Sequence, residues 1–194
     1  MRKRLGLFMA LLLASFCAVA VPDGRTQQAG QKQAAQKDDD DDEPKTEADK
    51  LKQKDLEKRA CGTREVKYKA DTDKKQHPVP EAPTDKALVF VIRPTLWGNK
   101  IQTKLAVDGE WKGVNRGNNY FFFTLDPGEH YFCSDSENRS VVALNVEAGK
   151  TYYLQQKIRV GLWKARNKLA VLDEAEGKKG LADCHLSVFE EKKK

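Results

Sequence analysis

The sequence predicts an all-β fold: an antiparallel β-sandwich of seven or eight strands, with a short helix at its C-terminal end. Three observations predict it. Short apolar or alternating runs recur at close, regular spacing from residue 61 onward. Turn-forming pairs separate them, at Asp108-Gly109, Pro127-Gly128 and Ala148-Gly149. Helix-start chemistry appears once behind the strands, where Asp173 with Glu176 three residues on resembles an N-cap with its capping box.

The elements follow in order. "EVKYKA" alternates Val66, Tyr68 and Ala70 with charged residues and reads as a half-exposed strand. "KQHPVPEAPTDK" is a Pro-rich connector, unfit for helix or central strand. "ALVFVIR" (87–93) is apolar on both faces, as a strand buried on both sides must be, and Pro94 stops it. "TKLAVDGEWKGV" is a hairpin, because Asp-Gly supplies the two positive-φ positions of a two-residue turn. "NRGNN" is a loop of turn formers. In "YFFFTL", Phe121, Phe123 and Leu125 share one face, with Tyr120 and Phe122 on the other. Pro127 and Gly128 then suit a tight turn, which makes "EHYFCS" the returning strand of a hairpin. "SVVALNV" and "KTYYLQQKIRV" form a further pair across "EAGK", and "KLAVL" is the last strand. Gly177 and Gly180 weaken the helix that Asp173 starts.

The 194-residue chain is long enough for one such domain with tails. "MRKRLGLFMALLLASFCAVAVPDG" has a basic start, an apolar stretch and the small-x-small site Ala18-Val19-Ala20, so residues 1–20 read as a secretory signal peptide. Phe16 is too bulky to precede a lipidated cysteine, which weighs against lipidation at Cys17. No other apolar run nears the ~20 residues that cross a bilayer. Residues 21–60 carry few large apolar side chains, and Asp38 to Glu43 form an acidic block; the segment reads as a disordered charged linker. The block is a solvating spacer or, alternatively, a contact for a cation or basic partner. "EADKLKQKDLEKR" within it is a transient helix with an Asp55–Arg59 pair. Residues 61–188 form the sandwich domain, and 189–194 a charged tail. Cleavage lowers the net charge from +6 by Arg2, Lys3 and Arg4, to +3. So small a charge, of mixed sign, argues against a nucleic-acid partner.

At "AVDGEWKGV", "YFFFTLDPGEHYF" and "LNVEAGKTYYLQ" the chain resembles a bacterial envelope family known as domain of unknown function 2846. It resembles more loosely the small sandwiches named for a Pro-Glu-Gly-Ala motif, although that tetrapeptide itself is absent. The resemblance spans about Cys61 to Val188. It implies a sandwich, export to the periplasm or cell envelope and no established activity, and it carries over no catalytic residues.

Three cysteines follow the cleavage site: Cys61, Cys133 and Cys184. An oxidising compartment would pair two of them, and spacing alone selects none of the three pairings. The family resemblance implies Cys61 with Cys133, since both lie in its recognisable part; Cys133 with Cys184 is the alternative. A loop of about 70 residues closed in this way contributes roughly 4 kcal/mol in the chain-entropy model. No metal-ligand spacing is present: His130 and Cys133 fall on opposite faces of a strand, and Cys184 and His185 diverge if extended. No nucleophile motif and no cofactor signature appear. "TLWGNK" and "GLWKARNK" each place a Trp in a loop with cations close behind. Trp97, Lys100, Trp163, Lys164, Arg166 and Lys168 could together form an aromatic-basic platform for sugar, carboxylate or phosphate. The other reading has both rings plugging the open ends of the sandwich, as aromatics in small domains mostly do. Trp111, alternating within a strand, reads as packing. The function expected is a non-catalytic binding or scaffolding module, its partner an envelope glycan or protein. The alternatives are a subunit docking by a sheet edge and a thiol-dependent redox protein or hydrolase using Cys184.

Overall fold

The computed structural model describes residues 47–62, 64–95, 98–159 and 166–193. Along them run α1 (Glu47–Cys61), β1 (Tyr68–Asp73), β2 (Ala87–Arg93), β3 (Thr103–Val107), β4 (Glu110–Asn115), β5 (Asn119–Leu125) and β6 (Gly128–Asp135). After these come β7 (Arg139–Val146), β8 (Thr151–Arg159), β9 (Arg166–Leu172), α2 (Glu174–Ala182) and β10 (His185–Glu191). The strands form a six-stranded sheet, in the order β1-β10-β5-β2-β8-β9, and a four-stranded sheet, β4-β3-β6-β7. Among the described residues, no helix is long and apolar enough to cross a membrane.

Hydrophobicity on both sides of β2 follows from its place between β5 and β8. Val89 and Val91 point into the core between the sheets, with Leu105, Phe121, Phe132 and Leu154. Leu88, Phe90 and Ile92 form a second core with Tyr120, Tyr153 and Leu181 on the outer face. Full burial of each such side chain stabilises by about 1.5–3 kcal/mol. Helix α2 supplies Leu181 to that outer face, and the Pro-rich connector touches it as well, where the Tyr120 hydroxyl donates to Pro78 O at 3.0 Å. Asp173 caps α2 as expected, its carboxylate accepting from Glu176 N at 2.8 Å. Gly177 and Gly180 serve close approach here: a β-carbon on either would overlap Tyr153 or Ile92.

The two-sheet, mainly β architecture with a C-terminal helix matches the expectation, and so does the β3–β4 hairpin, whose Asp108 and Gly109 have φ of 51° and 83°. The pairing of the other strands departs from it. Ten strands are present among the described residues instead of seven or eight, and β2–β8 and β5–β10 are parallel. Strands β5 and β6 are no hairpin. Asp126 and Pro127 carry the chain from the six-stranded to the four-stranded sheet. Likewise β7 and β8 lie in different sheets, joined by an arch through Gly149 (φ 73°). The physical reason is the shared core. Phe121 and Leu125 of β5 meet Phe132 of β6 across the sandwich, an arrangement an arch permits and a hairpin, with its strands side by side, does not.

The domain also extends beyond 61–188. Residues 47–60, expected to be disordered with a transient helix, belong to α1. Its last turn buries Ala60 and Cys61 against Ala106 and Cys133 on the outer face of the four-stranded sheet. Arg59 lies over the Tyr131 ring, 4.7 Å from its centre, in place of the expected pairing with Asp55. At the other end, the expected charged tail is strand as far as Glu191, because β10 pairs antiparallel with edge strand β1, Glu190 opposite Lys69 and Glu191 opposite Tyr68. Residues 1–46 lie outside the described residues, and with them the expected signal peptide and the acidic block.

Candidate functional site

A continuous layer of buried polar side chains crosses between the sheets where β2, β8, β4 and β6 end and β3 and β9 begin. Arg93 of β2, 0% exposed, donates to Gly98 O (2.8 Å), Ile101 O (2.6 Å) and Thr103 Oγ1 (3.0 Å). Asn115 Nδ2 donates to Val91 O (3.1 Å) and Gln156 Oε1 (3.2 Å), and Gln156 Nε2 reaches Ser134 Oγ at 3.1 Å. The Ser134 hydroxyl donates to Asn167 Oδ1 at 3.0 Å, and Asn167 Nδ2 to Ser134 O at 2.8 Å. Arg93, Gln156 and Asn167 belong to the six-stranded sheet; Thr103, Asn115 and Ser134 belong to the other. These buried amides and hydroxyls bond one another, which fixes the relative placement of the strands that carry them, although Asn115 Oδ1 is left without a partner among the described residues. Burial pulls the Arg93 guanidinium down to about 10, still charged at neutral pH.

Above this layer lies a cavity of about 490 Å³. Its cationic lining is Lys74, Lys100 and Arg116; His185, Thr72, Asn99, Gly117 and Asn118 complete it, and no carboxylate is among them. Four separate segments contribute. Thr72 and Lys74 come from the end of β1, Asn99 and Lys100 from the segment that Arg93 holds, Arg116 to Asn118 from the β4–β5 turn, and His185 from the start of β10. The segments are tied to each other. Asn118 N donates to Arg93 O (2.8 Å) and Thr95 O (3.1 Å), and His185 N donates to Asn118 O (2.9 Å). Asn118 takes the left-handed conformation (φ 60°) that asparagine tolerates. A side chain at Gly117 would collide with Thr95 O and the Asn99 backbone.

Of the six residues expected to form a platform, Lys100 lines this cavity. Arg166 and Lys168 sit on edge strand β9, paired in register with Arg159 and Lys157, three strands away from β5, and are not part of the lining. Trp97, Trp163 and Lys164 lie outside the described residues. Trp111 packs, as expected, against the outer face of the four-stranded sheet. Its indole donates to Arg64 O at 2.7 Å, and Lys104 lies 4.8 Å from the ring centre. Lys74, Arg116 and His185 were not expected at a site. Arg116 inside the turn cluster "NRGNN" was the available signal, a long cation where only turn formers are needed.

The remaining candidates resolve simply. Cys61 and Cys133 form a disulfide. Cys184 is buried and free, and burial pushes its thiol up to about 12, so it is not a thiolate at neutral pH. Among the described residues, no three His, Cys, Asp or Glu groups converge as a metal centre would need. His130 instead bonds Asp108 Oδ2 (2.6 Å) through Nδ1 and faces Asp126 O (2.8 Å) with Nε2.

Comparison with known proteins places residues 83–168 in a match to the family described as "Protein of unknown function (DUF2846)". An "Uncharacterized protein" of Haemophilus influenzae is 26% identical over 101 residues, which is 52% of this chain and 60% of that relative. The aligned stretch thus covers less than two thirds of the relative. No solved structure matches.

Proposed function

We propose that the protein is an exported, non-catalytic binding module of the bacterial cell envelope, which holds an acidic envelope glycan at its basic end. The observation that carries this reading is the cavity itself: cations, amides and a hydroxyl from four segments, no carboxylate in the lining, and a hydrogen-bonded polar layer beneath that holds the Asn99–Lys100 segment. Groups of this kind bind anions; pre-organisation lowers the cost of doing so. Export is supported by the signal-peptide pattern of residues 1–20 and by the disulfide, a bond of oxidising compartments. Kinship with the Pro-Glu-Gly-Ala sandwiches belongs to the same proposal and rests on turn chemistry at Asp108-Gly109 and Pro127-Gly128.

A photo-crosslinking residue at position 100, with others at 97 and 163, tests the reading in the native envelope. Mass spectrometry of the adducts should find acidic glycan attached from position 100. Crosslinks confined to the chain itself would sink it. The edge-docking alternative is favoured by β7, an eight-residue edge strand carrying Val141, Val142 and Leu144 half-buried and Ala143 exposed. Long apolar edges invite a further strand. Crosslinks to one protein from β7, with none from position 100, would decide for it.

A further inference from the structure

We infer that the basic cavity is a site for a phosphomonoester, the phosphate being borne by a sugar-sized group; this rests on the anion-binding reading above and names its ligand. Lys69, Lys86, Lys104, Lys112, Lys150 and Lys178 each bond a carboxylate. Among the described residues, Lys74, Lys100 and Arg116 bond none. The acidic residues nearest Lys74 in sequence are turned elsewhere: Asp71 accepts from Thr72 N, and Asp73 from the backbone of Lys75 and Gln76. Three fixed positive charges in one lining match a dianion better than the single charge of a carboxylate. A phosphomonoester carries about −1.5 to −2 at neutral pH and three terminal oxygens.

Arg116 Nε is buried and has no hydrogen-bond partner, although the residue as a whole remains partly exposed. A buried donor without an acceptor destabilises the unliganded site. A ligand oxygen would relieve it, and the planar guanidinium fork matches phosphate geometry in a way that an ammonium does not. The side-chain amides of Asn99 and Asn118, which make no hydrogen bond among the described residues, supply neutral donors beside it. The cavity's 490 Å³ exceeds what phosphate alone fills and falls within the ~300–1,000 Å³ of small-molecule sites.

Calorimetric titration of the full chain separates the outcomes. Glucose 6-phosphate should bind at least tenfold tighter than glucuronate, and more weakly as salt rises. Arg116→Lys, which keeps the charge and loses the fork, should weaken glucose 6-phosphate about tenfold without moving the melting temperature. Inorganic phosphate should bind, but less tightly than the sugar phosphate. Vesicles containing phosphatidic acid distinguish the source: binding confined to vesicles assigns the phosphate to a lipid headgroup, whereas solution binding assigns it to a sugar. Glucuronate binding as tightly as glucose 6-phosphate, no phosphate binding in either form, or indifference to Arg116→Lys would overturn the inference. If glycan adducts still form from position 100, the anion-binding module survives that failure; if they are absent as well, both readings fall.

Discussion

The two ends of the sandwich close in opposite ways. At the end holding the β3–β4, β5–β6 and β7–β8 connections, a smaller cleft of about 310 Å³ is lined by Lys86, Lys112 and His130 together with Asp108, Glu110 and Asp126. Each basic group there has its acid: Lys86 with Asp126 at 2.6 Å, Lys112 with Glu110 at 2.9 Å and His130 with Asp108 at 2.6 Å. At the other end the larger cavity holds cations with no acid in its lining, and its support is the neutral layer of Asn115, Gln156, Ser134 and Asn167 anchored by Arg93. Charge is spent on local pairing at one end and left available at the other. A cleft with several lysines is no anion site in itself; what distinguishes the two ends is where the carboxylates went.

The largest expected effect comes from removing the anchor. Arg93→Leu deletes three charge-assisted hydrogen bonds to Gly98, Ile101 and Thr103 and leaves those acceptors without their donor. The expected loss is about 3–5 kcal/mol in urea unfolding, with anion binding lost as well, since Lys100 and Asn99 sit on the segment that Arg93 holds. At the other end Lys86→Ala, which removes one exposed pair, should leave the urea midpoint almost unchanged. A loss below about 1 kcal/mol for Arg93→Leu would show that the layer is not what holds this end.

Next in size is Gln156→Leu, which strips partners from the Asn115 amide and the Ser134 hydroxyl. The expected cost is about 1–3 kcal/mol. Pairing it with Ser134→Ala should cost less than the sum of the single changes, because the second removes a group the first has orphaned. Strict additivity in a double-mutant cycle would mean that the layer is a set of independent bonds, and the contrast between the ends would lose its structural half.

The legibility of the fold differs along the same line. Strand β2 could be read from its residues because apolar side chains on successive positions have only one use in a sheet, burial on both faces. The Asp108-Gly109 hairpin was legible because its turn demands positive φ twice. The β5–β6 connection was not, since Pro127-Gly128 reverses the chain equally well within a sheet or between two. Turn chemistry does not say which; the meeting of Phe121 with Phe132 does. Gly177 and Gly180 read as helix weakeners because intrinsic propensity is local, whereas their use, contact with Tyr153 and Ile92, is tertiary. The polar layer was hidden for a related reason. Period-two alternation puts Gln156 on the inward face with Tyr152 and Leu154, while its amide argues for solvent. Only partners from other strands settle the conflict. The site was legible to the extent of Lys100, and Lys74, Arg116 and His185 join it through a strand order that no local pattern encodes.

The smallest expected effect tests the paired end by pH. Both ring nitrogens of His130 face acceptors, Asp108 Oδ2 and Asp126 O, so the ring satisfies both only as the imidazolium. Partial burial works against that charge, but the bonds to Asp108 and to the Asp126 carbonyl outweigh it and hold the ring above the usual histidine range. A folded-state pKa above the unfolded value means that the folded state binds the proton more tightly. The resulting stabilisation is therefore complete below the unfolded value of about 6.5 and is lost as pH rises through the folded value. Urea midpoints of the wild type and His130→Gln, measured from pH 5 to pH 9, should lie furthest apart at the acid end and converge toward the alkaline end. Replacing a cationic donor pair by one neutral amide removes the proton linkage while keeping a group able to bond Asp108. A gap that stays constant with pH would mean that the ring is held as a neutral tautomer, and one that widens would reverse the sign of the linkage. In either case His130 would drop out of the charge pairing at this end, and the contrast with the basic cavity would rest on the Lys86–Asp126 and Lys112–Glu110 pairs alone.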